Sequence, residues 1–275
     1  MHTLIFKRGR FGNWLFGLVE GALLVAIVTN YRDASREDQF FRDIAAEATA
    51  SAPSAEDRVL ALVHKAHAML APFRDGIRTG AVDDVTALTH YRRILFDSVG
   101  SSLVFPSGEC GAFAGVLAKL LRSDGFRVRI GQMLAHEDAS SETIHVVVEA
   151  WLDGRWVVCD PYYDVVFRGV DGHPLGFEEI HADWPTLKAQ CPPGYDPRHD
   201  YRGFRRVNFG RLNTWLQSTP LAGLSPRVWL NEGAWLRTTV VSVCMAVVVT
   251  LHAWYERRIR AMLRTAPDVV GAPRP

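Results

Sequence analysis

The apolar positions fall into three kinds of pattern. Two runs are apolar all round, Phe11 to Thr29 and Thr238 to Tyr255, each about as long as a bilayer's hydrocarbon core is thick. Between them, helical spacing recurs. Val59, Leu62, Val63, Ala66, Met69 and Leu70 form one stripe of a helix over Glu56 to Leu70, with Ser54 as its cap and Pro72 beyond its end. Arg36 to Ala50 and Val85 to Phe96 also read as helices. After Ser107 and Gly108, the residues Phe113, Val116, Leu117, Leu120 and Leu121 repeat at i, i+3, i+4, i+7 and i+8. Cys110 is thereby placed in a first helical turn. Lys119 and Arg122 occupy the last turn, and Gly125 is free to take the left-handed cap conformation.

Three strand patterns follow, Phe126 to Met133, Thr143 to Leu152 and Arg155 to Pro161. In the first, Phe126, Val128 and Ile130 alternate with Arg127 and Arg129; the other two are apolar on both faces, which predicts central strands. Asp153-Gly154 between them is a strong signal for a two-residue hairpin turn. That turn pairs Leu152 with Arg155, and counting back sets Val147 opposite Asp160. His145 then shares a face with Asp160, one diagonal step away, a backbone distance of roughly 7–8 Å that an imidazole and a carboxylate can bridge. Cys159 alternates to the opposite face and fills core.

If Ser107 caps the helix, unpaired N–H groups and the positive end of the helix dipole face the Cys110 sulfur and favour its thiolate. A thiolate beside an imidazole that a carboxylate orients is a nucleophile, base and orienter set, here Cys110, His145 and Asp160. The order Gly108-x-Cys110, Gly125-Phe126-x-Val128-Arg129, His145-Val-Val-Val-Glu149, Trp156 and Asp160-Pro161 resembles the transglutaminase-like superfamily of papain-related cysteine enzymes. The resemblance implies an α+β fold, a transglutaminase-like core with an antiparallel sheet and N-terminal helices. It also implies a nucleophile Cys110, a general base and acid His145 and an orienter Asp160, with no cofactor and no metal. Gly111 follows the cysteine as in the peptide N-glycanase branch, whereas transglutaminases carry an aromatic there. The upstream Cys-x-x-Cys pairs of that branch are absent from this sequence. The backbone N–H of Cys110 is the one oxyanion donor that can be named.

At 275 residues, 48% hydrophobic and with formal charge +1, the chain can bury a full core and carries no electrostatic sign of nucleic-acid binding. Lys7, Arg8 and Arg10 precede the first apolar run and Arg257, Arg258 and Arg260 follow the second. By the positive-inside rule both termini are cytoplasmic. Val25 to Asn30 offers no small-x-small cleavage site, which predicts an uncleaved anchor. The expected layout is a cytoplasmic N-terminus and first transmembrane helix over 1–30, an extracytoplasmic transglutaminase-like domain over 31–232, a second transmembrane helix over 233–256 and a cytoplasmic tail over 257–275. The expectation is a bacterial inner-membrane protein with a periplasmic or extracellular domain. Glu20 lies inside the first span. It is either protonated and packed against Ser242 or Thr250, or in contact with a membrane-protein partner.

The remaining polar groups receive plainer readings. His64, His67 and His199 are expected in solvent. The arginines of Tyr201 to Trp215 form a solvated face or a surface for an acidic glycan or a membrane. An oxidising compartment would permit a Cys159–Cys191 disulfide. Cys110, His136, His145 and Cys159 lack the close ligand pairs of zinc patterns. Function reads as a membrane-anchored cysteine acyltransferase or amidohydrolase acting through an acyl-enzyme on an amide- or ester-bearing substrate, a peptide or a cell-envelope glycoconjugate. The alternative is a non-catalytic scaffold in an extracytoplasmic membrane assembly.

Overall fold

The structure, a computed structural model, describes residues 2–78, 110–137, 142–206 and 233–265. The helix expected over Val85 to Phe96, the Ser107 cap and the arginine run beyond Arg206 lie outside them. The chain forms two units, residues 1–34 with 234–275, and residues 35–233.

The first unit holds the start of α1, His2–Thr49, and α6, Gly233–Thr265. Both are long and apolar enough to cross a membrane, over Phe11–Thr49 and Thr238–Met262. Their large apolar side chains point outward, among them Phe11, Leu18, Val25, Val243 and Leu251. The helices pair antiparallel: Tyr255 packs over Gly12, Phe16 stacks on His252 at 4.7 Å, and Tyr31 meets Trp235 edge-on at 5.7 Å. Glu20 meets a residue of α6 other than the expected Ser242 or Thr250. Its Oε1 lies 2.8 Å from His252 Nδ1.

The spacing predicts a separate helix from Arg36, but α1 runs unbroken to Thr49. No Gly or Pro falls between Asn30 and Thr49, so nothing in that stretch removes a ladder bond, and the Asn30 amide donates back to the Ala26 carbonyl at 2.8 Å.

In the second unit the end of α1 and α2, Ala55–Arg78, pack on α3, Cys110–Ser123. Ser54 caps α2: its Oγ accepts the Asp57 N–H at 3.0 Å. The helix continues through Pro72 where a stop was expected. Arg74 helps to hold that extra turn, donating from Nη1 to the Tyr162 carbonyl at 2.6 Å with its guanidinium over the Tyr162 ring. At the far end of α3, Gly125 has φ of 90° and Phe126 N–H reaches the Leu121 carbonyl at 2.9 Å, while Gly125 N–H reaches that of Arg122 at 3.0 Å. This is a Schellman ending, and it turns the chain directly into the sheet.

The sheet has four antiparallel strands in the order β3-β2-β1-β4: β1 Val128–Leu134, β2 Thr143–Leu152, β3 Arg155–Cys159 and β4 Gly203–Arg206. Asp153 and Gly154, with φ of 48° and 85°, make the two-residue turn, and Leu152 pairs with Arg155 through to Val148 with Cys159. Central positions belong to β2 and β1. The β3 strand closes one side, contrary to its apolar pattern, because the chain returns beside it: Val158 N–H bonds the Leu175 carbonyl and Asp160 bridges Val165.

Alternation sorts the two faces. Val148, Ala150, Leu152, Val157 and Cys159 join Phe113, Leu117, Leu120 and Leu121 of α3 and the α2 stripe in one core. Fully burying each Leu or Phe stabilises by about 1.5–3 kcal/mol. On the other face Met133, Val147 and Val158 meet Phe167, Leu175, Ile180 and Tyr201. Those residues come from the segment holding α4, Phe177–Ala182, and α5, Trp184–Leu187.

The β4 strand was not expected. Two of its arginines are cross-strand partners within the sheet: Arg205 bonds Gln132 and Thr143 at 3.0 Å, and Arg206 Nε reaches Glu149 at 3.0 Å. Glu149 is buried, and Arg129 holds its other side at 2.9 Å. Burial pushes the Arg129 guanidinium down, a cost that the Glu149 carboxylate opposes.

Candidate active site

Cys110 is the first residue of α3, so the unpaired N–H groups of the first turn cluster around it. His145 sits near the start of β2 opposite Met133, and Asp160 follows β3 directly. Both are essentially buried, at 1% and 0% exposure. His145 Nε2 donates to Asp160 Oδ2 at 2.8 Å, the contact that the hairpin register predicts. Asp160 is itself held by its own turn. Its Oδ1 accepts the Tyr162 N–H at 3.1 Å while its backbone pairs both ways with Val165.

Burial alone would strip the proton from His145, but the Asp160 carboxylate and then the neighbouring Cys110 sulfur raise the imidazole to about 10. At neutral pH the ring is a cation. Since Asp160 takes Nε2, the edge left for the sulfur is Nδ1.

Cys110 and His145 line a cleft of about 700 Å³ together with Tyr162, Tyr163 and the loop Gly194 to His199, with Asp160 buried behind His145. Three of those residues carry no signal in the pattern. Tyr162 meets the His145 ring edge-on at 5.7 Å, Tyr163 lies tilted against it at 5.5 Å, and His199 stacks flat on it at 4.2 Å with the planes 10° apart. The His199 ring, expected in solvent, is 7% exposed. Burial first, then the positive charge of His145, lower it to about 4. It sits neutral beside a cation.

Other expectations are corrected as well. His67 is half-buried, with Nδ1 3.0 Å from the Pro161 carbonyl, because the chain crosses α2 directly after Asp160. His64, by contrast, is exposed as expected and lies 2.8 Å from Asp164. Cys159 and Cys191 are free thiols. Cys159 lies in the α3 core, on the face away from Asp160, and burial followed by the Asp160 charge pushes it up to about 12. Cys191 rises for the same two reasons to about 11.

No curated protein and no solved structure shows a significant match to the chain. Residues 42–161, a span that takes in Cys110, His145 and Asp160, match the model of the Transglutaminase-like superfamily, so over that span the chain carries a transglutaminase-like domain.

Proposed function

We propose that the protein is a membrane-anchored cysteine acyltransferase or amidohydrolase that uses Cys110 as nucleophile, His145 as general acid and base and Asp160 as orienter. One observation carries the reading: a buried, proton-sharing His145–Asp160 pair opens onto the same cleft as a cysteine at a helix start. The Cys110 thiolate attacks an amide or ester carbonyl carbon, and the displaced electron pair moves to oxygen, where the Cys110 backbone N–H receives it. Collapse breaks the bond to the leaving amine or alcohol, which takes the proton from His145. A thioester remains. Water or an amine then gives a proton to His145, attacks the thioester and returns the thiolate.

The substrate is a peptide or a cell-envelope glycoconjugate, reached from outside the cytoplasm, with residues 31–232 on that side and 1–30 and 257–275 at or within the inner membrane and the cytoplasm. The antiparallel pairing of α1 and α6 supports this layout, since it brings the start of α1 and the end of α6 to one side.

Thiol chemistry tests the catalytic reading. In the full chain in detergent micelles at pH 6, iodoacetamide should label Cys110 at least roughly tenfold faster than Cys191, because a thiolate held by an imidazolium stays reactive where an ordinary thiol is protonated. His145→Ala should remove most of the advantage, and Asp160→Asn less of it. A Cys110 that labels no faster than a free thiol would return the domain to the scaffold reading.

A further inference from the structure

His199 holds a place that the three-residue set does not explain. Its ring covers one face of His145 at 4.2 Å, and its loop is fastened to the site at several points. His199 N–H bonds the Asp196 carbonyl at 2.9 Å, Asp196 N–H donates to the Tyr163 hydroxyl at 3.1 Å, and Tyr195 packs on Tyr163 at 4.3 Å. Its Nδ1 is buried without a partner. Leaving a ring nitrogen in that state is destabilising, and an apolar ring of similar shape would avoid it. The ring also bonds the Ile144 backbone, a local reason for an imidazole that leaves the buried Nδ1 unexplained.

The geometry of His145 supplies a better one. Its bond to Asp160 is made at Nε2, close to the axis about which the ring turns on its Cβ–Cγ bond. Such a bond restrains Nε2 well and Nδ1 poorly, yet Nδ1 is the edge that must stay on the sulfur. A flat ring against the face blocks that rotation. The groups around His199 suit it to the task. His145 faces it from β2, Asp160 from the end of β3, Tyr163 from the following turn, and Tyr195 and Asp196 from its own loop, where Arg198 is bound to Asp196. Burial first, and then the cation at His145, keep the His199 ring neutral, and a neutral ring can lie against an imidazolium without repulsion.

We propose that His199 is a positioning residue that acts through His145: stacked as a neutral ring, it stops the imidazolium from turning and keeps its Nδ1 edge toward Cys110. The proposal rests on the Cys110, His145, Asp160 reading. Two variants of the full chain in micelles test it, His199→Ala, which removes the stack, and His199→Phe, which keeps a flat ring without a titrating nitrogen. Labelling of Cys110 by iodoacetamide at pH 6 should fall about tenfold in the Ala variant and stay within about threefold of the parent in the Phe variant, the scale of a misplaced catalytic group. In spectra of nitrogen-15-histidine protein, the His145 Nε2–H signal should broaden in the Ala variant and persist in the Phe variant. An Ala variant with parental labelling and an unchanged His145 signal overturns the proposal, and so does a Phe variant as slow as the Ala. If the parent itself labels like a free thiol, the triad reading fails instead. The His145 signal then decides the role of His199 by itself, an unchanged signal in the Ala variant overturning it.

Discussion

Asp160 has both carboxylate oxygens committed, one to His145 Nε2 and one to the Tyr162 N–H, so it cannot turn away from the imidazole without breaking its own turn. The charge it stabilises has a thermodynamic signature. His145 is raised to about 10 from an ordinary value near 6.5, and a group raised on folding adds stability that is fully present below its unfolded value and lost as pH rises through the folded one. Asp160→Asn should therefore lower Tm most at pH 6, and the gap from the parent should narrow steadily up to pH 10. Thermal melts of both proteins across that range would show a constant gap if the ring were neutral throughout. The Asp160 and His145 pairing was legible in the sequence because it follows from turn length and strand parity, both local quantities. The His199 contact was not. It depends on a loop with no periodicity folding back over β2, and nothing between Cys191 and Asp200 encodes where that loop lands.

Strand pairing shows the same division between near and far. The β2–β3 hairpin was readable from Asp153-Gly154, whose positive φ angles fit the turn that a right-handed twist prefers. The β4 strand was not readable, being four residues long and defined by its partner, Gly131↔Arg206 through Leu134↔Gly203. That pairing depends on a missing side chain. A Cβ at Gly131 would fall within the Phe204 ring, and Phe204 is stacked on Phe177 at 4.2 Å and has little room to retreat. Gly131→Ala should destabilise the domain by about 1–3 kcal/mol, the usual scale of overpacking, and Phe204→Leu in the same chain should recover part of the loss. Urea unfolding of the two single variants and the double variant measures the coupling. Strict additivity would mean that the ring and the glycine do not oppose each other. The break expected before Arg36 and the end expected at Leu70 were misplaced for a related reason. Polar composition after Asn30 and Pro72 suggested stops, whereas long-range contacts such as Arg74 with Tyr162 decide where a helix can continue.

Across the molecule, the two long apolar helices were plain in the sequence, and their pairing was not, because lipid-facing and partner-facing positions look alike when both are apolar. The proposed topology makes a direct prediction: a reporter fused to either terminus should be active only in its cytoplasmic form. A terminus read from the other side would remove the two-span arrangement. One contact within the pair reaches further. Glu20 and His252 partner each other within helices apolar enough to cross a membrane, where a carboxylate without a partner is costly. They are 232 residues apart in the chain, so the ribosome delivers Glu20 long before its imidazole exists. In the interval α1 carries that carboxylate without its partner. On the proposed topology, the settling of α1 in the bilayer is thus tied to α6, and synthesis of the domain between them falls within that wait.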